Sequence, residues 1–299
     1  MRAPDPISSA IETRLAAVQA SERLSAWSLI VSFMGDAIGP RGGVVSAGAL
    51  QTLMQRLGIG AGAVRTAISR LAADGWIERS RDGRNSFYAL SGDVGDTVLS
   101  AERRIYAQTS LLPAGTPRSL VIAPEPLSDA TLRDIETAGA LQLTPQVFLC
   151  FALAEKLPAG LRLPGATLAD APTLKPGAAM LEKMAEARQV SEFERLRAAY
   201  QPIRAALDLG PTPTPEDAIT LRCLMIHEWR RVALRVLAVP AELVQPDDPE
   251  PETRSLIAAV YARLLPASET WLDENVMTAS GPLPPPDARL RQRFGCSRA

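Results

Sequence analysis

Histidine is almost absent from this chain of 299 residues, where His227 stands alone. Cysteine is scarce too: Cys150, Cys223 and Cys296 lie far apart and form no CxxC pair. Neither the count nor the spacing suits a metal site, so no bound metal is expected, and the pattern is that of a reduced, intracellular protein. Aromatic residues make up only 5% of the chain, while alanine and leucine are plentiful, a balance that favours helices. No uninterrupted apolar run approaches the roughly 20 residues needed to span a bilayer. The opening MRAPDPISSAIETR lacks the apolar centre of a signal peptide. A cytoplasmic location without membrane contact is therefore expected. A surplus of charge is also missing: the formal net charge is −1. Any contact with nucleic acid must then be local rather than driven by the whole molecule.

What the chain does have is length for about two or three domains and an ordinary apolar content of 46%. Residues 1–91 contain ten arginines and seven carboxylates, a local positive bias. Within it, Ser21 to Asp36 places Leu24, Trp27, Ile30, Val31 and Met34 at helical spacing, with Ser21 as the cap. A Gly-Pro-Arg-Gly-Gly loop follows, and Ser46 then caps a second helix carrying Leu50, Leu53, Met54 and Leu57, stopped by Gly58.

The third helix runs from Ala61 to Ala73. At 100° per residue, Val64, Ala67, Ile68 and Leu71 form one face and Arg65, Thr66, Ser69 and Arg70 the other. Arginine can pair with guanine edges or phosphates, and hydroxyls can reach bases or backbone. Asp74-Gly75 ends the helix, and two strands follow around Ser80-Arg81-Asp82-Gly83-Arg84, where Asp82-Gly83 is a hairpin signal. Arg81 and Arg84 stand at its tip. Three helices and a basic hairpin in this order predict a winged helix-turn-helix, with the polar helix face entering a DNA groove.

Further on, residues 93–112 read as a connecting helix. Arg118–Ala123 and Gln146–Ala152 read as strands, with a helix from Leu127 to Ala138 between them, the βαβ order of a small α+β domain. From residue 178 helices dominate. Pro202 is expected to kink or interrupt the run over 178–207. Thr214-Pro215-Glu216-Asp217 opens a helix expected to reach Val239, with Met225, Ile226, Trp229, Val232, Ala233 and Val236 on one face and His227, Arg231 and Arg235 on the other. A helical hairpin over 252–279, broken at Pro266, precedes a Pro- and Arg-rich tail from Ser280 that reads as disordered.

His227 invites a metal or catalytic reading, but HEWRR lacks the second histidine of HExxH, and a structural or ligand-adjacent role is expected. The cluster of Arg230, Arg231 and Arg235 has two readings. It pairs with acids such as Glu228 or Glu242, or it holds the phosphates of a coenzyme A thioester.

The run from Ser28 to Ser91 resembles the N-terminal domain of the PaaX family of bacterial repressors, the regulators of phenylacetic acid degradation. The features that carry the resemblance are Gly35-Asp36, Pro40-Arg41-Gly42-Gly43, Val64-Arg65-Thr66-Ala67, Ser69-Arg70-Leu71, Asp74-Gly75-Trp76 and Gly83-Arg84 before Tyr88. A second match runs through Ile226-His227-Glu228-Trp229-Arg230-Arg231, Pro240-Ala241-Glu242-Leu243 and Tyr261 to Trp271-Leu272. The resemblance implies a non-enzymatic repressor that binds double-stranded operator DNA as a homodimer and is released by an aryl-CoA effector such as phenylacetyl-CoA. It also implies a ferredoxin-like middle domain related to CRISPR Cas2 proteins. A metal-dependent nuclease of that type would want an aspartate at the end of the first strand, where this chain has Val121-Ile122-Ala123-Pro124. That nuclease, and a winged module that binds protein instead of DNA, are the alternatives. The expected organisation is a mostly helical α+β chain. It comprises an N-terminal extension (1–20), the winged domain (21–92), a linker helix and α+β domain (93–177), a helical effector and dimerisation domain (178–279), and the tail (280–299).

Overall fold

The computed structural model describes residues 6–21 and 24–295. In chain order it begins with α1 (Pro6–Ser21), α2 (Ala26–Phe33), β1 (Val44–Ser46), α3 (Ala47–Arg56), α4 (Ala61–Ala73), β2 (Ile77–Asp82), β3 (Asn85–Leu90) and α5 (Gly95–Ile105). It continues with β4 (Ser119–Ile122), α6 (Asp129–Thr137), β5 (Leu141–Thr144), β6 (Val147–Cys150), β7 (Thr167–Asp170), α7 (Ala178–Ala187) and α8 (Val190–Leu209). Last come α9 (Pro215–Ala233), α10 (Glu250–Asn275), the short pair β8 (Met277–Thr278) and β9 (Gly281–Pro282), and α11 (Ala288–Gln292). The class is α+β, as expected.

These elements gather into two compact units that do not follow the expected linear boundaries. One contains the described residues up to Gln108 together with Arg195–Arg231 and the chain from Glu252 onward. The other is Thr109–Glu194 with Val232–Pro251.

In the first unit, β1, β3 and β2 form a three-stranded antiparallel sheet beside α2, α3 and α4. The core joins Leu29, Ile30, Phe33, Leu50, Leu53, Val64 and Leu71 of this module to Ile219, Leu224, Trp271 and Leu272 of α9 and α10. Several local expectations are corrected here. The cap of α2 is Ser25, whose hydroxyl accepts from Ser28 N, rather than Ser21. The expected extension (1–20) is largely α1, which buries Ile7, Ile11, Leu15 and Val18 at helical spacing. Pro266 does not break α10, nor Pro202 α8. Proline removes one donor, but the buried row Leu196, Tyr200, Ile203 and Leu207 continues across Pro202 and holds the helix together.

The tail is the largest correction. Residues 280–295 are ordered, with Leu283, Leu290, Arg293 and Phe294 buried. Composition misled because only a few residues carry the burial, and they sit in a Pro- and Arg-rich sequence.

The second unit is built on a four-stranded antiparallel sheet in the order β5-β6-β4-β7. Val121, Phe148 and Cys150 pack with Ile135 of α6 on one side, and Leu141 and Leu149 pack with Met184 of α7 on the other. Strands β5 and β7 were not expected, the latter because it lies in a Pro/Gly-broken stretch. The break after α7 falls at Gln189, whose φ is 59°. Beyond Ala233 the chain leaves the helical path that was expected to reach Val239. Leu237 N donates to Ala187 O and Val239 O accepts from Leu112 N, so these backbone groups find partners outside a helix.

At the centre of the first unit lies Asp36, 3% exposed, in a π-helical turn (Met34–Ile38) after α2. Its Oδ1 accepts from Tyr106 Oη (2.5 Å), Tyr261 Oη (2.9 Å) and Arg293 Nη1 (2.9 Å). Its Oδ2 accepts from Arg222 Nε at 2.7 Å. Arg222 is fully buried and also meets Glu269 at 2.6 Å, and Arg41 bridges Glu269 and Asp273. Burial by itself pushes the Asp36 pKa up, but Arg222, Arg293 and the Tyr106 hydroxyl outweigh it and hold the carboxyl below its ordinary value.

Removing one member of a buried ion network leaves the others uncompensated. Asp36→Ala is therefore expected to cost about 3–5 kcal/mol, read as a lowered denaturant midpoint. Because the folded-state pKa is depressed, the contribution of Asp36 is present in full above the unfolded carboxylate value of about 4 and is lost as pH falls through the lower folded value. Wild type should lose more stability than Asp36→Ala on acidification through that range.

Candidate nucleic-acid interface

The α3–α4 corner is set by local chemistry. Ser46 Oγ accepts from Ala49 N to start α3. At its end Gly58 takes φ 80°, Gly58 N donates to Gln55 O, and Ile59 N donates to Met54 O at 2.8 Å. Ile59 is buried beneath the turn. A left-handed glycine with a buried residue after it closes the helix and redirects the chain.

Helix α4 then buries Val64, Ala67 and Leu71, with Ile68 half-buried. Arg65, Thr66, Ser69 and Arg70 are all exposed on the opposite side, as the helical wheel requires. Thr66 Oγ1 donates back to Gly62 O at 3.1 Å, which leaves the oxygen lone pairs open. After Asp74, Gly75 takes φ 72° and Trp76 N donates to Leu71 O. The Trp76 ring meets Trp27 edge-on at 5.4 Å, tying the root of the hairpin to α2.

The hairpin differs slightly from expectation. Asp82 pairs with Asn85, so the two central residues are Gly83 and Arg84, and Asp82 belongs to the strand. Gly83 takes φ 55° at the first central position, where type II′ turns need glycine. Arg81 and Arg84 are exposed there. Strand β1, which pairs with β3 through Val44↔Ala89 and Ser46↔Phe87, anchors the hairpin and had no signal beyond its two valines.

The cations of this surface differ from those that hold the interior together. Arg14, Arg41, Arg56, Arg118, Arg188, Arg222 and Arg293 are each bound to carboxylates. Among the described residues, no ion pair or hydrogen bond holds the side chains of Arg65, Arg70, Arg81 or Arg84. Arg79 was missed. It is exposed on the same strand face as Arg81, its guanidinium within 2.8 Å of Ser86 Oγ, and the period of two along β2 was the available signal. The structure thus brings a free basic helix face and a basic hairpin onto one small module.

The second set of expected residues is placed differently. Helix α9 is buried on nearly all sides from Asp217 to Trp229 rather than on one face. His227, 3% exposed, has its Nδ1 3.4 Å from Ser32 Oγ. Glu228 meets Arg14 and Arg195 and accepts from Tyr200 Oη at 2.6 Å, so it is not a partner for Arg230. Arg230 Nη2 donates to Ser28 Oγ (2.6 Å) and Ser28 O (3.3 Å), and its buried Nε has no partner. Burial, followed by the adjacent Arg231, pushes the Arg230 pKa down. Arg231 is half-buried, and Arg235, in the second unit, is exposed. Glu242 pairs with Arg118.

Among the described residues no His, Cys, Asp and Glu side chains cluster as a metal site. Nor is any helix there long and apolar enough to cross a membrane.

Residues 25–94 match the family model described as PaaX-like protein, and residues 185–274 match the PaaX-like protein C-terminal domain. Transcriptional repressor PaaX of Escherichia coli (strain K12) is 33% identical over 297 residues, covering 91% of this chain and 90% of that protein. The chain belongs to the PaaX-like family. Among solved structures, this PaaX-like chain is similar to the uncharacterized protein Rv0674 from Mycobacterium tuberculosis. The TM-score is 0.49 at 17% identity, covering 83% of this chain and 98% of that one.

A half-buried cation whose buried Nε has no partner and which meets no counter-charge costs stability. In this PaaX-like chain Arg230→Met is expected to raise stability by on the order of 1 kcal/mol. Arg65→Ala and Arg84→Ala should stay within about 0.5 kcal/mol of wild type. Chemical denaturation of the three variants measures both.

Proposed function

We propose that this protein is a transcriptional repressor of the phenylacetic acid pathway that binds operator DNA through α4 and the β2–β3 hairpin of a winged helix-turn-helix. The observation that carries the reading is the set of exposed, unpaired Arg65, Arg70, Arg81 and Arg84, on a module whose apolar side is packed into the core of the first unit. Thr66 and Ser69 stand between the helix arginines, where hydroxyls can reach bases or phosphates. The similarity to Transcriptional repressor PaaX supports the same role. Binding as a homodimer follows from the reading itself, since one module touches too few base pairs for genomic specificity.

The order β4–α6–β5–β6–β7 with β4 and β6 central supports a ferredoxin-like middle domain. Its second helix is replaced by two short 3-10 turns at Ala154–Lys156 and Ala159–Leu161. The proposed effector is an aryl-CoA thioester such as phenylacetyl-CoA. The support for an anionic ligand near His227, Arg230 and Arg231 is the uncompensated Arg230 guanidinium. Effector binding would act by favouring an arrangement of the two winged modules that no longer fits the operator.

A gel shift on the protein's own upstream region, with and without phenylacetyl-CoA and at two salt concentrations, tests this. A specific, salt-sensitive shift relieved by the thioester is expected. No shift on any upstream fragment sinks the DNA reading, and a shift indifferent to the thioester sinks only the effector. Arg65→Ala and Ser69→Ala should lose operator preference, by about 1–3 kcal/mol if Arg65 reads a base through two bonds. Arg84→Ala should weaken all DNA alike and flatten the salt slope. Identical behaviour of Arg65→Ala and Arg84→Ala would make Arg65 a phosphate contact.

A further inference from the structure

The C-terminal segment of the described chain is attached at a telling place. Leu283 enters the core, and Arg41 Nε donates to Pro284 O at 2.7 Å. Asp287 N donates to Pro40 O (2.8 Å), and Arg289 Nη2 donates to Gly39 O (3.1 Å). Arg293 then makes contacts with three parts of the first unit at once. It donates from Nη1 to Asp36 O (2.7 Å), Asp36 Oδ1 (2.9 Å) and Tyr261 Oη (2.8 Å), and from Nη2 to Glu102 Oε1 (2.8 Å). Its guanidinium lies 4.1 Å from the centroid of the Tyr106 ring. Phe294 packs edge-on against Tyr106 and Tyr261, and Phe294 N donates to Tyr106 O at 2.9 Å.

These partners come from the turn that follows α2, from α5 and from α10, so one side chain joins the base of the winged module, the helix leaving it and the helical body. None of them belongs to the α4 or hairpin surface. The strap leading to them, Pro282-Leu283-Pro284-Pro285-Pro286, is stiffened by proline and loses little entropy when it docks.

We propose that the segment from Leu283 to Gly295 is a clasp that sets the orientation of the winged module on the helical body, with Arg293 as its positioning residue for operator recognition. This rests on the DNA-binding reading above. A dimer must present two α4 helices at the spacing of two half-sites, and any looseness at the base of each module is amplified at the groove. Non-specific binding depends on the phosphate contacts of each module and has no such geometric demand.

The test uses the full-length chain, a duplex selected by wild type from a random-sequence pool, and poly(dI-dC) as non-specific DNA. Three variants are compared: Arg293→Gln, Phe294→Ala and the milder Arg289→Ala, which removes a half-exposed contact and leaves no buried charge unpaired. The expected result is at least a tenfold loss of affinity for the selected duplex, smaller for Arg289→Ala, with poly(dI-dC) affinity within twofold of wild type. A second round of selection with the variants should return half-sites at more than one spacing. A purely structural role would lower both affinities together with the folded fraction, and that outcome overturns the proposal even if Arg293→Gln alone fails to fold, because Arg289→Ala is read separately. Unchanged affinity and spacing in Phe294→Ala and Arg289→Ala also overturn it. A wild-type chain that selects no duplex overturns the DNA reading and this inference with it, whereas variants equal to a sequence-selective wild type overturn this inference alone.

Discussion

A carboxylate enters a protein interior only where cations and hydroxyls replace the water it loses, and Asp36 is the point where this chain meets that condition. Its two oxygens are shared among Arg222 of α9, Arg293 of the tail, Tyr106 at the end of α5 and Tyr261 of α10. Those residues are separated from Asp36 by 70 to 257 positions in sequence. Apolar packing could bring the same helices together in several registers. A buried charge with fixed donors tolerates far fewer, because each wrong register leaves an ion unpaired. The same network extends through Glu269 to Arg41, beside the glycine turn that leads into the three-stranded sheet. It therefore links the part of the chain that presents basic side chains to the part that carries most of the buried mass.

This division of labour explains where the arginines went. Those that hold the body together are buried or paired, so they contribute nothing to the field outside. Those on α4 and the hairpin have no carboxylate partner and remain available to a phosphate or a base edge. A chain with a net charge near zero can thus display a locally cationic surface without an overall excess.

Much of the first unit was legible in residue spacing. The limits of α4, its buried Val64, Ala67 and Leu71, and its exposed Arg65, Thr66, Ser69 and Arg70 follow from a period of 3.6 ended by Asp-Gly. The starts at Ser46 and Thr214 were equally readable, because a hydroxyl before a helix bonds amides two or three residues away. Spacing failed where the partner was remote. Strand β1 has only three residues and exists because β3 offers it a ladder. Pro202 and Pro266 looked like breaks, yet the packed rows through them outweighed the loss of one donor each. The face of His227 looked like half of an amphipathic helix, although α9 is covered on that side as well.

By itself, then, the sequence determined the α+β class, the helical order, the basic helix-and-hairpin module and the family to which the chain belongs, since each depends on residues near one another or on motif identity. Tertiary structure alone decided which charges are spent on the interior and which face outward. It also turned a Pro- and Arg-rich tail into a docked segment and divided the chain into two discontinuous units. The physical reason is that an arginine has the same local preferences whether it binds Asp36 or nothing. Only the position of a carboxylate some hundreds of residues away distinguishes Arg293 from Arg84.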